Sequence, residues 1–283
     1  MKFWARNGWA GLAALLLGQS CWAVPITINT ALPVSEGEVI VRQQIHYVHM
    51  NDDVLGVSRD VTLWKSITAA GYGVNEKLAI FGVIPLVNRD LNVGTLRKDD
   101  SGLADIKVFG RYQIYKKDGP GSTTRIAPFL GVNLPTGKTG QFSDGSVDVF
   151  GGLIFTKASR NGNFDGQIKY TQNGKHGGFR RGNSFNLDGS YQFRIKHAHE
   201  KVNAHGDLFT VLEGGLEYRE KDQVGSNAVT DSGGTTAYIA PGLQYAAKRW
   251  IGEAAVKIPV VKELNGTALQ PGVTVIASVR VNF

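Results

Sequence analysis

Charged side chains recur at alternate positions in several stretches of the chain, opposite a side that carries none. In residues 208–219, Glu213 and Glu217 alternate with the uncharged Leu212 and Leu216. A β-strand sends alternate side chains to opposite faces, so each such row would form one charged strand face. Charged rows around a pore select solutes, whereas the same charges paired with one another would fill a closed interior. The side chains predicted for this charged face are Asp105, Lys107, Arg111, Asp148, Lys169, Asp188, Arg194, Glu213, Glu217, Glu253, Lys257 and Arg280.

A cluster of histidines, His197, His199 and His205, lies close to Glu200 and Asp207. These are side chains that bind Zn²⁺ or Ni²⁺, and the alternate spacing of His197 and His199 puts both on one side of an extended segment. A polar stretch of this kind between two strands is more often a solvated turn. We therefore predict no metal site.

Two other patterns approach a catalytic or nucleotide-binding site without completing it. Residues 132–139 are similar to a phosphate-binding loop, but Gly131 is one residue too far from Gly137 and no helix pattern follows. A barrel lipase would need a serine and a histidine on one strand edge; His176 and Ser184 are separated by a loop, and no His-x-Ser pair exists. The sequence predicts neither a cofactor nor a catalytic residue.

Residues 1–23 have the pattern of a secretory signal peptide. A basic start precedes an apolar stretch from Gly8 to Gly18, and small residues occupy positions −3 and −1 of a cut after Ala23. The alternative is a lipidated Cys21, but a glycine stands where that signal has an aliphatic residue. Cleavage would remove the only cysteine, leaving residues 24–283 as one exported domain without a disulfide.

The remaining chain has a strand pattern throughout. Its net charge is +5, the +7 of the full sequence less Lys2 and Arg6, and it contains no Lys/Arg run longer than two, which argues against nucleic-acid binding. Apolar residues alternate with polar ones, and no long apolar run follows the signal peptide, so we predict an all-β chain. The count is about twelve strands, with ten or fourteen as alternatives. They are expected at residues 38–51, 61–73, 78–88, 103–115, 125–136, 147–157, 164–172, 184–195, 208–219, 235–246, 250–261 and 273–283.

The uncharged faces indicate a membrane barrel rather than a soluble sandwich. Each runs for about ten residues, the length of a tilted bilayer crossing, and only a closed sheet leaves no unpaired strand edge in lipid. Connections after even-numbered strands are mostly short, while those after odd-numbered strands, such as 89–102, 173–183 and 220–234, are long and polar. This asymmetry is typical of periplasmic turns and extracellular loops. Aromatic residues suited to the interfaces are Tyr47, Trp64, Tyr112, Tyr191, Tyr218, Tyr245 and Trp250.

The last predicted strand ends at Phe283, with Val281, Val279, Ala277 and Val275 at alternate positions before it. This ending resembles the C-terminal signal that the outer-membrane assembly machinery recognises. Together with the signal peptide, it places the expected barrel in the outer membrane of a Gram-negative bacterium, in contact with its lipid.

Several short motifs resemble the family of outer-membrane transporters linked to the MetA pathway of phenol degradation. The resemblance implies a barrel that passes small molecules, aromatic or hydrophobic ones among them. The matching segments are Gly102-Leu103-Ala104-Asp105-Ile106-Lys107, Gly110-Arg111-Tyr112, Pro128 to Gly131, Leu134-Pro135-Thr136-Gly137-Lys138, Ala31 to Glu38 and Arg42-Gln43-Gln44.

The sequence therefore predicts a transmembrane antiparallel up-and-down β-barrel with a polar lumen, through which small solutes diffuse passively. Only about 14 residues of the mature chain precede the first strand, too few for the plug domain of an energised transporter. The alternatives are a closed structural or adhesion barrel, a lipid-modifying barrel enzyme and a soluble secreted β-protein.

Overall fold

The computed structural model describes residues 23–196 and 206–283, and this part of the chain forms an all-β barrel of twelve antiparallel strands. Strand β4 is divided into three segments. The strands are β1 (Val39–Val54), β2 (Val57–Gly73), β3 (Leu78–Val93), β4 (Leu96–Leu103, Ile106–Tyr112 and Tyr115–Gly119), β5 (Ser122–Leu134), β6 (Asp148–Ser159), β7 (Gly162–Gln172), β8 (Ser184–Lys196), β9 (Gly206–Arg219), β10 (Gly234–Ala247), β11 (Trp250–Leu264) and β12 (Val273–Asn282).

Each strand pairs with the next along the chain, and β12 pairs with β1 over ten residue pairs, from Ile40↔Asn282 to His49↔Val273. Two further backbone hydrogen bonds join Val39 and Phe283 at the end of this seam. The closed sheet has no free edge between its first and last strands, as a sheet in lipid requires. No helix long and apolar enough to cross a bilayer is present in residues 23–196 and 206–283.

The two ends of the barrel differ in their connections. The turn rim carries residues 74–77, 120–121, 160–161 and 248–249, together with the start of β1 and the end of β12. The loop rim carries residues 135–147, 173–183, 220–233 and 265–272, and two-residue strands within two of these loops form a small second sheet.

The prediction of a long loop at 89–102 was wrong. Strands β3 and β4 continue past the predicted end of β3 at residue 88 and meet in a two-residue turn at 94–95, and β1 and β2 are joined in the same way at 55–56. Leu55 and Gly56 have φ angles of 54° and 79°, which suit the tight turn of a twisted hairpin. The charged residues in 89–102 led to the prediction of a loop. A hairpin that extends beyond the membrane accommodates these residues equally well.

The two breaks in β4 lie opposite prolines of the neighbouring strands. Pro85 of β3 faces the first break, where two residues of β3 oppose three of β4. Pro128 of β5 faces the second break, where two residues of β5 oppose three of β4. Proline has no N–H to donate to the ladder, and an extra residue opposite it forms a bulge, so the barrel wall bends at these points.

Burial alternates along the strands as the sequence predicts. Leu187, Val279 and Val108 of the uncharged faces are 52%, 49% and 38% exposed, while polar neighbours such as Gln192 and Gln244 are fully buried. In a closed barrel the buried face encloses the lumen, so the uncharged face is the outer surface. Exposed aromatic residues lie toward both rims, with Trp64 and Tyr218 on the loop side and Tyr191, Tyr245 and Trp250 on the turn side.

Candidate functional site: a lumen partly filled by the chain itself

Residues 23–35, here called the lumen segment, fold into the barrel from the turn rim. Ala23 and Val24 pack against Phe209, Ala246 and Ile251 near that rim. Ile26 lies further in, against Val211, Ala255 and Ile276. The chain then turns back, and the Gly37 amide donates to the Gly73 carbonyl at the turn rim. The sequence did not predict this arrangement: the lumen is not an open polar tube on its turn side, although no separate plug domain is present in the described part of the chain.

Glu213 of β9 is the main polar anchor of the lumen segment. Its buried carboxylate accepts hydrogen bonds from the backbone amides of Ile26 at 2.7 Å and Thr27 at 2.8 Å, and from the Thr27 hydroxyl. Ser190 of β8 donates a further bond at 2.9 Å. A buried carboxylate is stable only when its oxygens are satisfied in this way.

Backbone carbonyls of the lumen segment are bound by side chains of β1 and β10. Arg42 donates to the Ile26 carbonyl at 2.9 Å and also pairs with Glu253 of β11. Gln44 donates to the same carbonyl at 3.1 Å. Gln244 both accepts from the Val24 amide and donates to its carbonyl, at 3.1 and 2.8 Å.

The returning half of the lumen segment is held from the other side of the barrel. Arg111 of β4 donates to the carbonyls of Thr30 and Leu32, the second at 2.6 Å. Thr156 of β6 accepts from the Ala31 amide at 2.8 Å. Gln167 of β7 accepts from the side-chain amide of Asn29 at 3.0 Å. Polar lumen side chains thus replace the strand partners that this extended backbone lacks.

The lumen also has an apolar wall beside its polar side chains, which the sequence analysis did not predict. Phe81, Phe109, Phe129 and Phe150, on four successive strands, form one aromatic cluster in which Phe81 and Phe109 stack at 4.8 Å between ring centroids. Glycines make room for the rings: a Cβ on Gly71 would lie 2.5 Å from the Phe81 ring. The sequence contained one sign of this cluster: the phenylalanines occur at the alternate positions that also carry the charged residues, and so on the inward face of the strands.

A cavity of about 570 Å³ lies between the lumen segment and strands β12 and β1 to β5. Its apolar lining includes Ile40, Ile67, Ala69, Phe81 and Val83 from the barrel wall, together with Leu32 and Val34 from the lumen segment. Arg42, Gln44 and Arg111, which hold the lumen segment, also line this cavity, so its apolar side chains lie beside polar ones. The volume is within the usual range for sites that take small molecules.

Residues 51–258 match the family described as "Putative MetA-pathway of phenol degradation". The chain belongs to this family. Among solved structures, it is similar to the COG4313 outer membrane channel from Pseudomonas putida F1, with a TM-score of 0.67 and 12% identity, covering 92% of this chain and 100% of that one. The NanC porin gives a TM-score of 0.50 at 12% identity, covering 86% and 98%. At identities this low, the similarity shows a shared fold and nothing further. No curated protein sequence matches significantly.

In this MetA-family barrel, the twelve side chains predicted for the charged face differ in burial. Arg111, Asp148, Glu213 and Glu253 are buried, Lys107 is exposed, and the others are partly buried: Asp105, Lys169, Asp188, Arg194, Glu217, Lys257 and Arg280. Arg111 and Glu213 bond the lumen segment itself, while Glu253 and Asp188 accept hydrogen bonds from its anchors Gln244 and Gln167.

Others of this set bind neighbouring wall or loop residues. Asp148 accepts from the Gly174 amide at 3.0 Å and from Ser146, which ties two connections of the loop rim together. Asp188 accepts from the Tyr238 hydroxyl at 3.1 Å, and the Lys257 ammonium lies 3.6 Å from the centre of the same ring. These contacts bring Asp188, Tyr238 and Lys257 together beside the lumen segment, since the Tyr238 hydroxyl also lies 3.4 Å from the Thr27 hydroxyl.

The weaker patterns in the sequence do not form sites in the described residues. His197, His199, Glu200 and His205 lie outside the residues that the structure describes. In the parts that are described, no group of three or more metal-binding side chains is present. Strand β5 ends at Leu134, and the loop of residues 135–147 that follows it contains no helix, so this segment lacks the phosphate-binding geometry.

Proposed function

We propose that this chain is a passive outer-membrane channel for small hydrophobic molecules, aromatic ones included. The observation that carries the proposal is the cavity of about 570 Å³ beside the lumen segment, which apolar side chains of β1, β2 and β3 line in part. A route bounded by Ile67, Ala69 and Val83 favours apolar solutes. A polar solute would lose hydrogen bonds to water there that these side chains cannot replace, whereas an apolar solute has none to lose.

The charged residues toward the loop rim would then line the entrance. Lys107, Lys169 and Glu217 carry both signs, and charges of both signs bias diffusion without binding one ion tightly. The alternative, a closed structural barrel, is less favoured because the cavity is unfilled. A lipid-modifying enzyme is less favoured because His176 lies in the small second sheet and Ser184 at the start of β8, and no hydrogen bond joins these two described residues.

The orientation and biogenesis belong to the same proposal. The signal peptide would be removed near Ala23, the turn rim would face the periplasm, and Phe283 would be recognised by the outer-membrane assembly machinery. The proposal is supported by Phe283, which lies 71% exposed at the seam between β1 and β12. Placed in this way, both chain ends would lie on the side from which assembly proceeds.

The test is uptake by vesicles that contain lipopolysaccharide, with phenol and glucose compared side by side. We expect phenol to enter several times faster than in protein-free vesicles, and glucose to gain little. Ala69→Trp would fill the cavity and return phenol uptake to the protein-free rate. The matched control is Ala277→Trp, which adds the same ring to the outer face of β12. Equal phenol uptake by the two variants, or none by the unaltered protein, would overturn the proposal.

A further inference from the structure

Three lysines project into the lumen just beyond the lumen segment, toward the loop rim. Each lies one inward-facing position nearer that rim than a residue that contacts the lumen segment or lines the cavity beside it. They therefore lie at a similar depth in the barrel, although their strands belong to different parts of its wall. The lysines are Lys65 of β2, Lys107 of β4 and Lys169 of β7, and the corresponding residues are Ile67, Phe109 and Gln167.

The charges of these lysines act on one another. Among the charges that affect the Lys107 ammonium, those of Lys169 and Lys65 have the largest effect, and both have the same sign as its own. The three ammonium groups therefore lie around one part of the lumen. Like charges held this close repel one another, and an anion among them would relieve the repulsion.

No partner within the described chain neutralises these three lysines. Among residues 23–196 and 206–283, no hydrogen bond or ion pair involves their ammonium groups. By contrast, Arg42 and Arg89 each pair with a carboxylate. An ammonium group has three donors and is strongly hydrated, so these donors are left to water or to a solute in the lumen.

The carboxylates near the three lysines offset their charge only in part. Asp105 and Asp148 each accept a hydrogen bond from a backbone amide of the loop rim, at 3.1 and 3.0 Å. The charges of Asp188 and Glu217 act on a fourth inward lysine, Lys257, which offsets them in turn. Neutral donors and this fourth cation reduce the negative potential of the carboxylates. A positive potential is therefore left at the three lysines.

We propose that Lys65, Lys107 and Lys169 form a binding site for small anions, carboxylates among them, and that anions cross the lumen in preference to cations. The inference rests on the proposed function, because the site lies at the loop-side end of the suggested path, and it adds the charge of the favoured solutes. Rings of lysine or arginine in a pore select anions in this way. Because the site is open to the lumen, a bound anion can also leave it.

The experiment measures the reversal potential of the full chain in planar bilayers, under a gradient of KCl or of potassium acetate. Salt near ~0.1 M leaves a screening length of about 10 Å, so the lysine charges still act across the lumen. We expect both anions to be several-fold more permeant than K⁺. Lys107→Glu and Lys169→Glu should each abolish or reverse this preference, because each replaces a positive charge with a negative one. Lys65→Gln removes one charge and should weaken the preference less.

Lys117→Glu is the matched control. Lys117 is exposed at the turn rim and pairs with Thr124, whose neighbours Thr123 and Arg125 line the cavity, so Lys117 is on the outer face. This variant should keep the anion preference of the unaltered chain.

The outcomes separate this inference from the proposed function. A preference of the unaltered chain for K⁺, or equal effects of Lys107→Glu and Lys117→Glu, would overturn the anion site while phenol uptake still depended on Ala69. Absence of any conductance would also overturn it, and phenol uptake would then decide the proposed function alone. Lys65→Gln keeps the length of the side chain and tests the inference even if a glutamate variant fails to fold.

Discussion

The Glu213 carboxylate accepts a hydrogen bond from the backbone amide of Ile26 at 2.7 Å, across 187 residues of chain. Through this contact, the middle of β9 holds the lumen segment, which is not paired with any strand of the barrel. Arg111 on the opposite wall holds the returning half of the same segment. The lumen segment is therefore positioned by side chains, which single substitutions can release without disturbing the barrel ladder.

Replacing Glu213 with alanine should loosen the lumen segment. The change removes the acceptor of the buried Ile26 amide, at a cost of roughly 1–3 kcal/mol, and that of the partly buried Thr27 amide. We expect larger single-channel conductance in planar bilayers, and faster protease cleavage within residues 23–35. Glu263→Ala is the control, since it removes a carboxylate from an exposed position near the end of β11 that does not bond the segment. If both variants conduct like the unaltered protein, the segment is not held by Glu213.

The strands were predictable from sequence because alternation is a local property. In β12 the residues Val275 and Val279 are exposed and Ser278 is buried, as their spacing predicts. The anchors of the lumen segment could not be paired in advance, because Gln244 and Glu213 are distant in sequence and act only after closure. One signal was present: residues 23–35 carry no charge, and Ile26 and Ile28 alternate as in a buried extended chain.

A positive charge on the outer face should impair folding into bilayers. Leu187 is 52% exposed on β8, between the exposed aromatic residues of the two rims. We expect Leu187→Arg to destabilise the inserted barrel by roughly 2 kcal/mol, measured by urea titration in lipid vesicles. Leu96→Arg, at the tip of the hairpin beyond the loop rim, should change stability little. Equal effects of the two substitutions would mean that the outer face does not contact lipid.

Close packing of the aromatic cluster requires glycine at position 131. A Cβ there would lie 2.4 Å from the Phe109 Cβ and 2.6 Å from the Phe150 ring. Gly131→Ala should therefore destabilise the barrel by about 1–3 kcal/mol in denaturant unfolding, because the rings must shift. Gly110→Ala places the same methyl group on β4 where no atom lies within 4 Å, and we expect it to be neutral. A neutral Gly131→Ala would show that the cluster is loosely packed.

Acid should loosen the β1–β2 hairpin beyond the membrane. Arg59 donates two hydrogen bonds to Asp52, at 2.7 and 2.6 Å, and these lower the pKa of the Asp52 carboxyl below its ordinary value. Asp52 also accepts from the Gln270 amide, so it links the hairpin to the last loop. A lowered pKa means that the stabilisation is complete above the ordinary carboxyl pKa, near ~3.9, and is lost as the pH falls through the lowered value.

Hydrogen exchange of residues 52–59 and 265–272, corrected for the intrinsic rate, measures this loss. We expect protection to be constant between pH 7 and pH 5 and to fall as Asp52 becomes protonated. Asp52→Asn removes the ionisable group and should give weaker protection with a much smaller acid response. Because Asp53 is adjacent and shows no bond to Arg59, Asp53→Asn is the matched control and should keep the response of the unaltered chain. An unchanged acid response in Asp52→Asn would assign it to another carboxylate.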